Sequence, residues 1–73
     1  MPSLPHVSGE TVVRVLTDMG FVVARQRGSH VVLRRGATGC VVPLHRELKV
    51  GTLAGVLKQA GLTVQEFVEA LRA

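Results

Sequence analysis

Histidines and arginines are the residues of this chain with the clearest capacity for chemistry. His30 follows Gly28-Ser29 and His45 follows Pro43-Leu44, each a few residues from an arginine. An imidazole titrates near neutral pH, so it can accept the proton of a ribose 2′-hydroxyl or donate one to a leaving 5′-oxygen. A guanidinium presents a planar fork of donors that suits phosphate oxygens. Cleavage of RNA without a metal needs little more than these two groups.

The whole chain has a net charge of +4, and its positive charge is concentrated in one stretch. Between residues 25 and 49, Glu47 is the only acidic residue beside Arg25, Arg27, Arg34, Arg35, Arg46 and Lys49. Such clustering favours a polyanionic partner, although a solvated arginine-rich sheet edge is the plain alternative. We take these six basic residues, with Gly28 and Ser29, as candidate RNA contacts. Gly28 would let a phosphate approach the backbone closely.

Apolar residues at helical spacing predict three helices. The first follows Ser8, a helix-capping residue, and runs over 9–19. The second starts at Leu53 and is closed by Gly61. A short third helix opens at Thr63-Val64-Gln65-Glu66, which has the form of a capping box.

Three strands follow the first helix. Valine-rich runs bounded by turn residues predict strands over 21–26, 29–35 and 40–44. Pro43 lacks an N–H group, which places the third strand at a sheet edge. We therefore predict an α+β fold of order α-β-β-β-α, with a three-stranded antiparallel sheet packed on helices and a short C-terminal helix. One face of the sheet would remain open to a ligand.

The register of the second hairpin decides whether His30 and His45 meet. A turn symmetric about Ala37-Thr38 opposes His30 to His45 and puts both imidazoles on one face with Arg34. A three-residue turn with a bulge at Gly39 would instead shift the pairing by one residue. We predict the symmetric register, with His45 as a second acid or base. A role for His45 in orienting RNA, or in simply ending the strand, stays open.

Length and cysteine content bound the remaining possibilities. With 73 residues, the chain has room for one small domain, which we expect over 1–73 with a flexible N-terminal tail at 1–7. Cys40 is the only cysteine, which excludes a disulfide framework. No apolar run approaches the ~20 residues that span a bilayer, and the histidines and Cys40 lack the ligand spacing of a zinc module. We expect a cytoplasmic protein without a metal, a cofactor or membrane contact.

Several short motifs occur in a specific order between Ser8 and Phe67. They are Gly20-Phe21, Gly28-Ser29-His30, Pro43-Leu44-His45, Leu48-Lys49-Val50-Gly51-Thr52-Leu53 and Val56-Leu57-Lys58-Gln59-Ala60-Gly61-Leu62. Together they resemble the HicA (YcfA-like) toxin family. The resemblance implies a double-stranded-RNA-binding-domain-like fold and a type II toxin that cleaves mRNA as a metal-independent endoribonuclease. It also implies that His30 is the catalytic histidine and that a HicB-type antitoxin covers the basic face.

Two other functions compete with this interpretation. A non-catalytic RNA-binding module would use the same fold and basic face. A DNA-binding helix-turn-helix over residues 53–72 is less suitable, because Glu66 and Glu69 give its would-be recognition helix a net negative charge. The sequence leaves both a homodimer and a toxin–antitoxin hetero-oligomer open.

Overall fold

The order of elements along the chain is helix, three strands and two helices. A computed structural model describes residues 4–73 and contains α1 (Gly9–Asp18), β1 (Val22–Arg27), β2 (His30–Arg35), β3 (Thr38–Pro43), α2 (Val50–Ala60) and α3 (Val64–Arg72). The strands form an antiparallel sheet in the order β1-β2-β3, so β3 is an edge strand. The predicted α+β fold is confirmed, as is the edge position inferred from Pro43.

Local capping sets the ends of the helices. The Ser8 hydroxyl accepts a hydrogen bond from the Thr11 N–H at 3.1 Å at the start of α1. Gly61 ends α2 in the left-handed region with a φ of 71°, and Thr63 and Glu66 form the capping box of α3. The second helix begins at Val50 rather than Leu53. Its first turn is exposed, so no apolar periodicity marks it in the sequence.

The register between β2 and β3 differs from both registers considered above. His30 pairs with Pro43 and Arg35 with Thr38, so the turn between the strands consists of Gly36 and Ala37 alone. Only Gly36 of these two has a positive φ, at 62°, and a two-residue turn with glycine first suits the twist of a hairpin. The predicted pairing of His30 with His45 is therefore wrong by two residues.

The predicted division of the two sheet faces survives this correction. Side chains alternate along a strand, so a shift of two residues leaves each one on its own face. Four apolar residues of β2 and β3 face the helices and are buried, namely Val31, Leu33, Cys40 and Val42. Burial raises the pKa of the Cys40 thiol, in keeping with its place among apolar side chains.

One apolar cluster joins the helices to this face of the sheet. Its members are Val12, Val15, Leu16, Phe21, Val31, Leu33, Cys40, Val42, Leu48, Leu53, Val56, Leu57, Ala60, Leu62 and Phe67. Two residues of the segment expected as a flexible N-terminal tail lie against this cluster. The Leu48 N–H donates to the Val7 carbonyl at 2.8 Å, and Leu4 and Val7 pack on the core. The remainder of that expected tail, residues 1–3, lies outside the described residues.

The first residue of α1 makes an unusually close approach to the end of β3. The Gly9 N–H donates to the His45 carbonyl at 2.9 Å, and Gly9 is buried. A Cβ atom at Gly9 would lie 2.8 Å from the Leu44 Cα and would overlap the Pro43 carbonyl oxygen. These neighbours are backbone atoms, so they cannot yield as a flexible side chain would. Glycine at position 9 thus lets the start of α1 pack directly against the backbone of Pro43 and Leu44, at the end of β3.

We expect Gly9→Ala to lower the free energy of unfolding by about 1–3 kcal/mol, because the added methyl group must displace backbone atoms. Chemical denaturation followed by circular dichroism measures the change. Gly55→Ala is the matched control, since a Cβ at that exposed helical glycine meets nothing within 4 Å. It should stabilise the protein by about 0.5–1 kcal/mol. Equal effects of the two substitutions would contradict the close approach.

Candidate functional site

The sheet face opposite the helices carries the histidine and most of the strand arginines. Cross-strand partners share a face, and the pairs on this side are Val22 with Arg34, Arg25 with Val32, Arg27 with His30, His30 with Pro43, Val32 with Val41 and Arg34 with Gly39. We call this surface, formed by the residues just named, the open face. It combines three arginines, one histidine and an aliphatic centre, with no acidic side chain among these strand positions.

A bulge in β1 adjusts the faces on which its side chains lie. The register shifts between Val23 and Arg25, which leaves Ala24 without a partner on β2. A bulged residue changes the phase of side-chain alternation. As a result Arg25 and Arg27 lie on the open face while Val23, rather than Val22, faces the helix side. Without the bulge, one part of β1 would present its side chains to the wrong face.

His30 lies at the start of β2 and is exposed. It directly follows the two-residue turn Gly28-Ser29, in which Gly28 has a positive φ of 55°. Arg27 stands opposite His30 on one side, at the ~5 Å separation of paired Cβ atoms, and Pro43 stands opposite on the other. Arg34 is about 13 Å further along the strand. An open imidazole beside a guanidinium can exchange protons with solvent or substrate while a phosphate is held next to it.

His45 lies outside the sheet, two residues beyond Pro43. The ladder continues past the strand for one hydrogen bond, from the Leu44 N–H to the Ser29 carbonyl at 2.6 Å. The side chain of His45 is exposed, and its carbonyl accepts the hydrogen bond of Gly9. The loop, rather than a strand pairing, thus sets the position of His45 relative to His30.

Arg35 differs from the other strand arginines because it faces the helix side. Its Nη1 donates to the Met19 carbonyl at 2.9 Å, and its guanidinium carbon lies 4.6 Å from the centre of the Phe21 ring. The side chain therefore connects the end of β2 to the C-terminus of α1. The helix dipole also stabilises a cation at that end of a helix. Arg46 and Lys49 are exposed in the loop between β3 and α2 and belong to no strand.

The charge of Arg35 also reaches the capping box of α3. Hydrogen bonds from the Thr63 backbone N–H and hydroxyl hold the pKa of the Glu66 carboxyl below its ordinary value, and Arg35 adds a smaller effect in the same direction. The Arg35 guanidinium thus interacts with groups on the helical side of the sheet.

Gln59 is a residue of this region that the sequence did not single out. Its Oε1 accepts a hydrogen bond from the Val41 N–H at 3.1 Å, at the outer edge of β3. The two residues are 18 positions apart, and no local pattern links a helix glutamine to a distant strand edge. Gly9 and the bulge at Ala24 escaped prediction for the same reason, since each depends on a partner remote in the sequence.

Within residues 4–73, no group of three or more histidine, cysteine, aspartate or glutamate side chains is arranged to hold a metal ion. None of the helices in that range is both long and apolar enough to cross a membrane.

A family model described as the HicA toxin of bacterial toxin–antitoxin systems matches residues 9–62. This segment includes α1, the whole sheet and α2, and therefore every strand position of the open face. None of the curated proteins compared with the chain matches it significantly.

Neighbouring arginines on opposite faces give a direct test of these assignments. We expect Arg35→Ala to lower the free energy of unfolding by about 1 kcal/mol, because it removes the bond to Met19 and the contact with Phe21. Arg34→Ala, on the open face, should change it by less than about 0.5 kcal/mol. Urea denaturation of both variants measures the difference. The assignment is wrong if the Arg34 variant is the less stable of the two.

Proposed function

The chain belongs to the HicA toxin family of bacterial toxin–antitoxin systems, and from this premise we propose that it is a metal-independent endoribonuclease that cleaves mRNA with His30 as a general acid or base. The observation that carries the proposal is the position of His30. It is exposed and shares the open face with Arg25, Arg27 and Arg34. A ring buried under the helices, or directed away from the arginines, would have been incompatible with the reaction.

The reaction uses the RNA's own 2′-hydroxyl as nucleophile. His30 removes the 2′-hydroxyl proton, and the oxygen then attacks the neighbouring phosphorus. The bond to the 5′-oxygen breaks, that oxygen takes up a proton, and a 2′,3′-cyclic phosphate remains. Arg27, directly across from His30, and Arg25 beyond it are suited to offset the charge that accumulates on the phosphate oxygens. His45 is the candidate donor of the second proton from the loop after β3.

Phosphate binding extends this proposal to the remaining candidate contacts. Gly28 and Ser29 form the turn before His30, where the backbone is open to a phosphate. Arg34 continues the basic surface along β2, and Arg46 and Lys49 add positive charge in the following loop. Arg35 is already engaged with α1, so its contribution to RNA binding is the weakest of the set.

We expect His30→Ala to reduce the cleavage rate by about 10²–10⁴-fold while RNA affinity is retained, because only proton transfer is removed. Purified protein is incubated with an unstructured RNA in the presence of a chelator, and the product ends are identified. Wild-type protein should leave a 2′,3′-cyclic phosphate or a 3′-phosphate.

His6→Ala is the control, because that exposed imidazole lies 3.6 Å from Glu47 and is not part of the three strands that form the open face. It should cleave at the wild-type rate. Undiminished cleavage by the His30 variant, or an absolute requirement for a metal ion, would refute the mechanism.

A non-catalytic RNA-binding module is the second candidate function. The observation that favours it is the corrected register, which pairs His30 with Arg27 and Pro43 and leaves no histidine directly across the sheet. The basic open face would bind duplex or single-stranded RNA through phosphates without a second acid or base. Absence of any cleavage product, with RNA binding intact, would decide for this module.

Membership of a toxin–antitoxin family implies an antitoxin partner. We propose that a HicB-type antitoxin covers the open face and thereby excludes RNA from His30. The positive charge of that face requires an acidic patch on the partner.

Charge reversal on the open face should therefore weaken the complex. We expect Arg34→Glu to reduce affinity for the antitoxin by about tenfold or more, mainly at low salt, because it places like charges together. Arg14→Glu, on α1 and paired with Asp18 at 3.5 Å, is the control on the helical side and should have a small effect. Calorimetric titration measures both, and equal losses would show that the partner does not recognise the open face.

A further inference from the structure

A shallow cavity lies on the β3 side of the open face and begins two residues along β2 from His30. It has a volume of about 440 Å³, and its lining includes Val32, Arg34, Gly39, Val41 and Gln59. Four of these residues are strand positions of the open face, and Gln59 reaches the cavity from α2. We call it the Gln59 pocket. None of the candidate contacts discussed above except Arg34 belongs to it.

The orientation of the Gln59 amide is determined by its bond to β3. A backbone N–H can only donate, so the amide atom 3.1 Å from the Val41 nitrogen must be the oxygen. The group that Gln59 has left to offer a ligand is therefore its NH₂, which is a donor. Gln59 thus presents a hydrogen-bond donor to a ligand, and the amide is not free to turn its oxygen toward the ligand instead.

Arg34 supplies further donors at the same pocket. A Cβ built on Gly39 would lie 3.6 Å from the Arg34 Cγ and 4.0 Å from its Cζ, so the arginine side chain passes over the glycine. A guanidinium has five N–H donors and no acceptor. Both polar side chains of the pocket consequently require a ligand whose exposed edge consists of acceptors.

The floor of the pocket is aliphatic. Val32 and Val41 pair across the sheet, and Val41 is 40% exposed. The face of a flat ring would cover this aliphatic surface. A small acidic side chain or a bare phosphate would leave the surface exposed to water. An apolar floor with donors at one side is the pattern expected for a nucleobase.

We propose that the Gln59 pocket binds a guanine base of single-stranded RNA. Guanine presents two adjacent acceptors, O6 and N7, whereas adenine places an amino donor beside N7 and cytosine carries an amino donor at N4. The pocket begins about 7 Å along the strand from His30. The base therefore belongs to a nucleotide neighbouring the reacting linkage. The proposal rests on the proposed function and adds a sequence preference to it.

The test measures binding by the His30→Ala protein, so that cleavage does not interfere. The probes are uridine oligonucleotides of one length that carry a single central guanosine or a single central adenosine. We expect the guanosine oligonucleotide to bind about tenfold more tightly by fluorescence anisotropy. Gln59→Glu keeps an acceptor for the Val41 N–H and replaces the donor, so it should abolish the preference for guanosine.

Two additional variants separate the pocket from general charge effects. Gln65→Glu on α3 makes the same change of charge outside the pocket and should keep the preference for guanosine. Gly39→Val fills the pocket, and its Cβ meets the Leu33 carbonyl only at an ordinary 3.5 Å. It should reduce the preference as Gln59→Glu does.

Several outcomes would overturn the proposal. Equal affinity for the two oligonucleotides, or an unchanged preference in Gln59→Glu, shows that the pocket does not read the base. If Gln59→Glu loses antitoxin binding but keeps the preference for guanosine, the pocket belongs to the interface with the protein partner. A guanosine preference in a protein whose wild type cleaves no RNA would refute the nuclease and leave the pocket standing. Absence of binding to either oligonucleotide refutes both.

Discussion

Burial of Val31 and Leu33 beneath the helices forces His30, Val32 and Arg34 to the opposite side of β2, and the rest of the structure depends on this division. Side chains alternate along β2, so the residues that build the core also determine which groups of this strand face the solvent. As the central strand, β2 imposes the same division on both neighbours. The basic surface is in this sense a by-product of core packing on a very small sheet.

The same alternation separates two adjacent arginines into different roles. Arg34 lies on the open face across from Gly39, whereas Arg35 binds the Met19 carbonyl and covers Phe21. A guanidinium suits both tasks because it combines a charge with a flat apolar surface. Net charge along the sequence therefore overstates the charge available to a polyanion. What a ligand meets is the part of that charge that β2 and β1 turn away from the helices.

The proposed cleavage of RNA and the proposed binding of an antitoxin both depend on the open face. Both proposals require this face to be accessible, and its arginines suit both because RNA and an acidic protein patch attract the same charges. The structure supports the surface from behind through close backbone contacts such as that of Gly9 with Pro43 and Leu44. Helix α2 braces its β3 edge through Gln59. The proposed chemistry would thus take place on a thin sheet that the helical layer supports.

From the sequence alone, the order of elements, the helix caps and the buried side chains of β2 and β3 could all be derived. Those features follow from local hydrogen bonding and from the period of apolar residues, as at Ser8, Thr63 and Leu33. The ordered motifs, Gly28-Ser29-His30 among them, identified the family, and side-chain alternation gave the face on which His30 lies. Only the tertiary structure decided the hairpin register, the bulge at Ala24 and the partner of Arg35. Turns of similar local energy compete within Gly36-Ala37-Thr38-Gly39, and packing between residues distant in the chain selects among them.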